Sequence, residues 1–484
     1  MHRFFALVAG LGCLGVFTWI ALAETLPGFS VTTIPTSSVA AADAGCLIPQ
    51  ISGELEFQGS LSCTNATCHG NLQADTRPGK IRRNEYFVWS ERDPHAKAYD
   101  VLIEDWTSDA STSIAKKLGI KSMSEPQFAN CLACHSPNRS LTAQVDHSQP
   151  SSSPFLSSRE GVGCEACHGP SQRWRSKHFR GDWDASRAAE VGMLNTKGNL
   201  LARARLCAEC HVGSKNREVN HDLIAAGHPM LRFEMSAYMD MMPKHWNERT
   251  DREFKLQMWS AGQIASADAA LELLYARAQD KDGSWPEFSE NNCSSCHHNL
   301  ERPEGGGLNW RQQRGTEQVL ETWGSWYYTV LGESINESQG DESAKQLKAA
   351  LSGLRKTMNE SFFVKREVAQ KAAGDAIKHL HAWVGQPDDR QERLSSSLKN
   401  IPTLIGTLAT TTEKNGLKDT PAVRNWDVAT QVYLAVLAHE LATQETRSKS
   451  IKKLHAALQP GDFGSKRDEF LSELKTILNS STND

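Results

Sequence analysis

The last third of the chain has apolar residues at the three- to four-residue spacing that is typical of amphipathic helices. One such stripe is Leu347, Leu351, Leu354 and Met358, and another is Phe470, Leu471, Leu474, Ile477 and Leu478. The segment 426–441 is apolar on nearly every side, so we expect it to be a buried, central helix. The sequence therefore predicts a helical bundle over residues 310–480.

Helical patterns also occur earlier in the chain, between segments that contain cysteines. One apolar stripe predicts an amphipathic helix that serves as a structural spacer; its members are Ile264, Ala267, Leu271, Leu274 and Ala278. Asp93 and Pro94 are typical of a helix N-cap and first turn. On the helix that follows them, His95 shares one face with Tyr99 and Leu102.

The amino-terminal residues have the composition of an export signal. Arg3 precedes an apolar run over residues 4–23 that ends in Ala21-Leu22-Ala23. Small residues at these positions are typical of a signal-peptide cleavage site. We therefore expect residues 1–23 to direct the protein to the periplasm. Because a run of about 20 apolar residues can also span a bilayer, an uncleaved membrane anchor, with membrane association through this segment, is the alternative.

Length and charge restrict the classes of function. A chain of 484 residues can bury a sizeable core. Its 53 basic and 57 acidic side chains give a formal net charge of -4, which is not the strong basic field that attracts nucleic acid. Nucleic acid is therefore not expected as a partner.

Ten of the 12 cysteines occur in pairs, and a histidine follows the second cysteine of each pair. CLACH, CEACH, CAECH and CSSCH begin at residues 131, 164, 207 and 293, and CTNATCH at residue 63 has the wider spacing. Two thiols that add to one porphyrin, beside a histidine that binds the iron, account for this order. The sequence therefore predicts five covalently attached c-type haems. The attachment residues are Cys63 and Cys68, Cys131 and Cys134, Cys164 and Cys167, Cys207 and Cys210, and Cys293 and Cys296.

Disulfide bonds or zinc would explain these cysteines less completely. A disulfide framework is common in exported proteins but does not account for a histidine in every motif. A zinc site combines two cysteine pairs, or one pair with separate histidines. For the long first motif, an ordinary disulfide with a surface histidine is the alternative. Cys46 has no partner in a motif, so we interpret it as a free or intermolecularly paired thiol.

The histidines provide candidate iron ligands of two kinds. We expect the motif histidines to be proximal ligands: His69, His135, His168, His211 and His297. The main distal candidates are His95, His178, His221 and His228, and the weaker ones are His245 and His298. Two turns of helix from His221 to His228 would bring both to one side, facing the haems. We interpret five further histidines as surface or structural residues: His147, His379, His381, His439 and His455. Spacing alone assigns no distal histidine to a particular haem.

Several segments, taken in order, resemble the multihaem cytochromes c related to cytochrome c-554. The resemblance covers residues 60–300 and rests on WSERDPHAKAY, CLACH, GVGCEACHGPSQRWRSKH, CAECHVG, VNHDLIAAGHPMLRFE and WPEFSENNCSSCHHNL. It implies a mainly α-helical fold with few strands, organised by closely packed haems, and electron transfer in the periplasm. The archetype of that family has four haems, whereas this chain has five motifs and an additional C-terminal region.

These interpretations divide the chain into four parts: a signal peptide or anchor (1–23), a linker-like segment (24–58), a pentahaem cytochrome c domain (59–305) and a C-terminal helical domain (306–484). We expect an exported protein that transfers electrons through five haems between periplasmic redox proteins, a donor and an acceptor. The alternative is an oxidoreductase that acts on a small nitrogen or sulfur species at one five-coordinate haem. The surplus of candidate distal histidines favours electron transfer.

Overall fold

The computed structural model describes residues 56–77, 80–137, 160–293, 322–324, 326–335, 341–385, 401–410, 412–414, 417–423, 426–440, 448–459 and 466–481. All of them belong to one compact unit, which begins at Ala44. Several predictions lie outside the described residues: the export signal, Cys46, His147, Cys296, His297 and His298.

The described chain is mainly helical, as predicted. Its first ten helices are α1 (Glu85–Arg92), α2 (Ala98–Thr107), α3 (Ile114–Lys117), α4 (Pro126–His135), α5 (Cys164–His168), α6 (Ala185–Glu190), α7 (Leu200–His211), α8 (His221–Ala226), α9 (Met235–Met241) and α10 (Arg252–Gln279). They are followed by α11 (Thr329–Ser334), α12 (Glu342–Asn359), α13 (Arg366–Val384), α14 (Ile401–Ala409), α15 (Trp426–Glu440), α16 (Ser448–Ala457) and α17 (Arg467–Ser481).

Short elements complete the secondary structure of the described segments. The 3-10 turns are Ser60–Cys63, Pro94–Lys97, Phe288–Glu290 and Pro421–Val423. One antiparallel hairpin pairs β1 (Thr412–Lys414) with β2 (Leu417–Asp419), and Thr412 is opposite Asp419. The predicted fold class, mainly α with few strands, is confirmed.

Polar N-caps set the starts of the helices that carry candidate ligands. The side chain of Asn199 accepts a hydrogen bond from the backbone N–H of Ala202 before α7, and Asn220 caps α8 in the same way. Asp93 accepts from the N–H of His95 at the start of the turn Pro94–Lys97. Each cap satisfies an N–H group that lacks an intrahelical partner, so the caps fix where His95 and His221 lie.

Helix α10 lies at the centre of the main apolar cluster, which includes residues from Leu200 in α7 to Ile477 in α17. Every residue from 257 to 271 is buried, because α7, α9, α13 and α15 pack around this helix. The prediction of an amphipathic spacer is therefore wrong here. Polar residues of this helix also lie inside the protein, and Gln263 donates a hydrogen bond to Gln431 there.

The C-terminal stripes are buried as predicted. Leu347, Leu351, Leu354 and Met358 of α12 lie in the main cluster, as do Phe470, Leu474 and Ile477 of α17. Segment 426–441 forms α15 as far as Glu440, and Val428, Val432 and Val436 are fully buried. The predicted helix and its burial are confirmed, but the central position belongs to α10. The main cluster contains residues from both sides of the predicted boundary at 305/306.

The first three cysteine motifs lie in a part of the chain that has a smaller apolar cluster. Its buried members are Tyr99, Leu102, Ala115, Ile120, Phe128 and Leu132, all from α2 to α4. Six buried apolar side chains are a small cluster for the segment that contains three cysteine motifs. Within the described residues, side chains alone therefore provide little apolar core around these motifs.

An ion network joins α7, which contains the fourth motif, to α10 and α13. Arg205 donates through Nε to Asp268 Oδ2 at 3.0 Å and also contacts Glu272. His381 Nε2 of α13 lies 2.7 Å from Asp268 Oδ1. The side chains of Asp268, Glu272 and His381 come close enough for a metal site. Because the Arg205 guanidinium bonds to both carboxylates, we interpret the network as structural.

Candidate haem centre

Four motif histidines each lie opposite a second histidine. Numbered by motif, these are the first pair (His69 and His178, ring centroids 6.0 Å apart), the second pair (His135 and His228, 6.4 Å), the third pair (His168 and His245, 6.3 Å) and the fourth pair (His211 and His95, 5.8 Å). Each pair joins residues that are distant in sequence, so the fold brings them together.

The separations fit one metal ion between the two rings of each pair. Two metal–imidazole bonds of about 2 Å, with about 1.1 Å from each bonding nitrogen to its ring centroid, put the centroids about 6 Å apart. Aromatic rings in direct contact have centroids about 4.5–7 Å apart, so it is the recurrence of a histidine opposite four motif histidines that favours ligation. The observed distances, from 5.8 to 6.4 Å, therefore fit axial ligation from both sides of a haem.

The ring planes distinguish the first pair from the others. The rings of His69 and His178 are nearly parallel, at 12°. The corresponding angles are 86° in the second pair, 69° in the third and 76° in the fourth. The first pair is therefore the one with parallel imidazoles.

Hydrogen bonds at Nδ1 orient several of these rings. The Nδ1–H groups of His135, His178 and His228 donate to main-chain carbonyl oxygens, each at 2.9 Å. His69 donates instead to Glu85 Oε2 at 3.1 Å, and His95 to Asp93 Oδ1 at 2.9 Å. With Nδ1 used in this way, Nε2 is left for a metal, as in most metal-binding histidines.

Burial keeps several paired imidazoles in the neutral form that binds metal. Burial lowers the pKa of His168 to about 4, with further lowering by His245, and it lowers the pKa of His211 to about 4 with a smaller effect of His95. The pKa values of His135, His178 and His245 are lowered by burial as well. A neutral imidazole has the free lone pair that iron requires.

The two carboxylates beside His69 and His95 are ionised. Burial raises the pKa of Glu85, but the hydrogen bond from His69 and further bonds outweigh it, and the net pKa lies below the usual value. Burial likewise opposes, but does not overcome, the hydrogen bonds from His95 that lower the pKa of Asp93. Both carboxylates therefore accept from their histidines as anions near neutral pH.

The backbone of the motifs matches the spacing of their cysteines. In the long first motif, Cys63 ends a 3-10 turn, and the backbone N–H of Cys68 donates to Asn65 O at 2.8 Å, so the extra residues form a tight turn. Glycine follows the histidine in two motifs. A Cβ at Gly70 would lie 1.8 Å from Thr64 O, and Gly169 has a positive φ of 82°.

Cysteines of different motifs lie close together. The thiol of Cys164 lowers the pKa of Cys63, and the thiol of Cys134 lowers the pKa of Cys210, so each of these two pairs is in close proximity. The described cysteines form no disulfides. The first motif therefore adjoins the third, and the second adjoins the fourth.

Two buried carboxylates fasten the third motif to the chain before the first. Glu165, inside CEACH, accepts from the backbone N–H groups of Gln58 and Gly59 at 2.9 and 2.6 Å. Glu160 accepts from the N–H and hydroxyl of Ser60. Neither glutamate was identified from the sequence, because their partners lie about 100 residues away.

Two indole N–H groups beside the distal histidines support the fit of a bulky polar cofactor. The ring of Trp174 lies 5.3 Å from that of His178, and the ring of Trp246 lies 4.9 Å from that of His245. Both Nε1 atoms are buried without a hydrogen-bond acceptor. Buried donors are normally paired, and a haem propionate is an acceptor of the kind that would pair them.

The fifth motif is described only as far as Cys293. Its Sγ lies 3.7 Å from Met230 Sδ. His221 begins α8, its N–H donates to Glu287 Oε1 at 2.8 Å, and its ring lies 5.9 Å from that of Phe288. The prediction that His221 and His228 share one helix face is wrong, because α8 ends at Ala226 and Gly227 turns the chain at φ 120°.

The helical fold, the cysteine pairs and the facing histidines define the class of c-type cytochromes. Residues 62–169 match the protein family described as cytochrome c554 and c-prime, which confirms the resemblance to the cytochrome c-554 family over this segment. Comparison of the chain with curated proteins and with solved structures gives no match.

The family match has three consequences. It identifies this segment as a c-type cytochrome with covalently bound haem c, and it indicates electron transfer as the general function. It also supports a location outside the cytoplasm. None of the helices in the described segments has the length and apolar character that a bilayer span requires.

Proposed function

We propose that the protein is a periplasmic carrier that binds five haems c and transfers electrons through them between two redox proteins. The observation that carries this proposal is the set of four histidine pairs at ligation distance. Each haem would supply an iron that changes between the ferric and ferrous states by one electron. With histidines on both sides, these four sites have no open position for a substrate.

The residues that would hold the cofactors follow from the motifs and the pairs. The motif cysteines provide the thioether bonds, and each pair provides one proximal and one distal histidine. The buried indole N–H groups of Trp174 and Trp246 would donate to propionates of the first and third haems. The anchoring of Ser60 by Glu160, and of Gln58 by Glu165, holds the first motif against the third.

Contacts between motifs support a continuous route for electrons. The first and third motifs lie close together at Cys63 and Cys164, and the second and fourth at Cys134 and Cys210, because each of these thiols shifts the pKa of its neighbour. Burial is the main cause that raises the pKa of Cys167, and the charges of Cys207, Asp93 and Cys210 raise it further. The third motif therefore lies near the fourth. The order of sites is therefore first, third, fourth, second.

The fifth site follows the second in this order, because it lies next to the second histidine pair. Met230, which touches Cys293, lies two residues after His228 of the second pair. We assign His221 to the fifth haem as its distal ligand, because its ring contacts Phe288 in the segment that leads into the fifth motif. His245 serves the third site, and His298 has no assigned haem.

Voltammetry of the haem-loaded protein on an electrode separates this function from its alternative. A carrier is expected to show reversible one-electron waves, five per chain, that are unchanged when nitrite, hydroxylamine or sulfite is added. A catalytic current with any of these compounds would instead support an oxidoreductase with one open haem. Fewer than five haems per chain, measured by mass, would contradict the proposed stoichiometry.

A further inference from the structure

Two of the eight paired histidines have a carboxylate at Nδ1, and they belong to different pairs. Glu85 accepts from His69 in the first pair, and Asp93 accepts from His95 in the fourth. In the second pair, both Nδ1 atoms are bonded to main-chain carbonyl oxygens. In the third pair, Nδ1 of His245 is buried without a partner.

Both carboxylates are held in place by further hydrogen bonds. The second oxygen of Glu85 accepts from the backbone N–H of Arg83 at 3.0 Å. Asp93 also accepts from the backbone N–H of His95 at 3.0 Å, and its side chain is 3 % exposed. The carboxylates therefore stay beside their histidines in a place where little water competes for them.

A carboxylate at this position increases the electron density on the metal-binding nitrogen. A charged acceptor bonds to the Nδ1–H more strongly than a neutral carbonyl does, and such partners raise the basicity of the ligating imidazole. A more basic ligand and a nearby negative charge both favour ferric over ferrous iron. The reduction potential of such a haem is therefore lower than that of a haem whose histidines bond to carbonyl oxygens.

We propose that Glu85 and Asp93 are positioning residues that lower the reduction potentials of the first and fourth haem sites relative to the second and third. This inference rests on the proposed function. On the route first, third, fourth, second, the sites then alternate between low and high potential. Electrons that enter the protein would reside mainly on the third and second sites.

The test is a redox titration of the haem-loaded protein followed by electron paramagnetic resonance. The parallel rings of the first pair give that site a distinct ferric signal. Glu85→Gln keeps the shape and an acceptor oxygen but removes the charge. It is expected to lower the ferric-to-ferrous ratio of the first site about tenfold at a fixed potential, which is about 59 mV for one electron.

Asp93→Asn is the corresponding variant for the fourth site, and asparagine also keeps the N-cap. Glu91→Gln is the matched control. Glu91 is exposed on α1 and lies between Glu85 and Asp93 in the sequence, and its substitution removes the same charge. Each test variant should shift its own site most. The third site, whose His245 lies near both carboxylates, should shift less, and the second site should stay at the value of the control. Haem content and low-spin signals should be unchanged.

Two results would overturn the inference. One is an unchanged potential in both Glu85→Gln and Asp93→Asn, with haem content intact. The other is an equal shift of all sites that Glu91→Gln reproduces, since a general loss of charge would then be the cause. Either result would leave the carrier function in place, whereas a loaded protein that lacks low-spin haem would contradict the proposed function itself.

Discussion

The imidazole of His69 lies parallel to that of His178, with an angle of 12° between the ring planes and 6.0 Å between their centroids. His69 belongs to the first cysteine motif, whereas His178 follows the third. The pair therefore ties two motifs together at one site. In the other three pairs the rings are closer to perpendicular.

The ring planes predict two kinds of ferric spectrum. Parallel axial imidazoles separate the energies of two iron orbitals, whereas perpendicular imidazoles make these energies nearly equal. We expect one rhombic low-spin signal from the first site and strongly anisotropic low-spin signals from the second, third and fourth. Low-temperature electron paramagnetic resonance measures this difference. Four identical rhombic signals would contradict the ring geometry.

Replacement of a distal histidine should change the spin state of one haem. His178→Ala removes the ring opposite His69 while leaving the first motif cysteines intact, so the haem should remain attached with one axial position open. The absorption and resonance spectra are expected to show one high-spin haem per chain. His455→Ala is the control, because His455 is exposed on α16. An unchanged spectrum of His178→Ala would remove its proposed role.

Loss of one motif cysteine should weaken covalent attachment at one site. In Cys167→Ser, the third motif retains a single thiol, so we expect either one thioether bond or loss of that haem. Mass spectrometry of the intact protein and its peptides measures both outcomes. Cys46→Ser, outside the motifs, should keep the full haem content. Normal two-bond attachment at the third motif of Cys167→Ser would contradict the assignment.

The ion network around Arg205 should contribute to the stability of the whole described unit. Asp268→Asn removes the buried carboxylate that Arg205 and His381 share, while Glu272 and Glu209 still face Arg205. The loss of a hydrogen bond to a charged group typically costs about 1.5–3 kcal/mol in the free energy of unfolding. Denaturant unfolding of the haem-loaded protein measures this. Asp375→Asn, exposed on α13, should change stability by less than about 0.5 kcal/mol. Equal stability of the two variants would exclude a structural role of the network.

The sequence predicted the elements that depend on neighbouring residues. The N-cap at Asp93 lies where expected because the carboxylate bonds to an N–H two residues away. It caps the 3-10 turn Pro94–Lys97, however, so His95 precedes α2 and, contrary to the prediction, does not lie on the helix that carries Tyr99 and Leu102. The apolar stripes of α12 and α17 are likewise local patterns.

The sequence could not predict the features that depend on distant contacts. Helix α10 has polar residues that are nevertheless buried, and two of them pair with distant residues: Gln263 with Gln431, and Asp268 with Arg205. The pairing of His168 with His245, a weaker candidate by its sequence, joins chain segments 77 residues apart, and no local signal marks it. No sequence motif marks Glu85, and its role is seen only from its hydrogen bond with His69 in the structure.

The measurement that tests the central claim most directly is the low-temperature resonance spectrum of the ferric, haem-loaded protein, integrated against its haem-to-protein ratio. The histidine pairs and the assignment of His221 predict five haems per chain, all of them low-spin. A persistent high-spin signal that integrates to one haem per chain would contradict complete histidine ligation. That result would place an open iron in the protein and favour a reaction with small nitrogen or sulfur compounds.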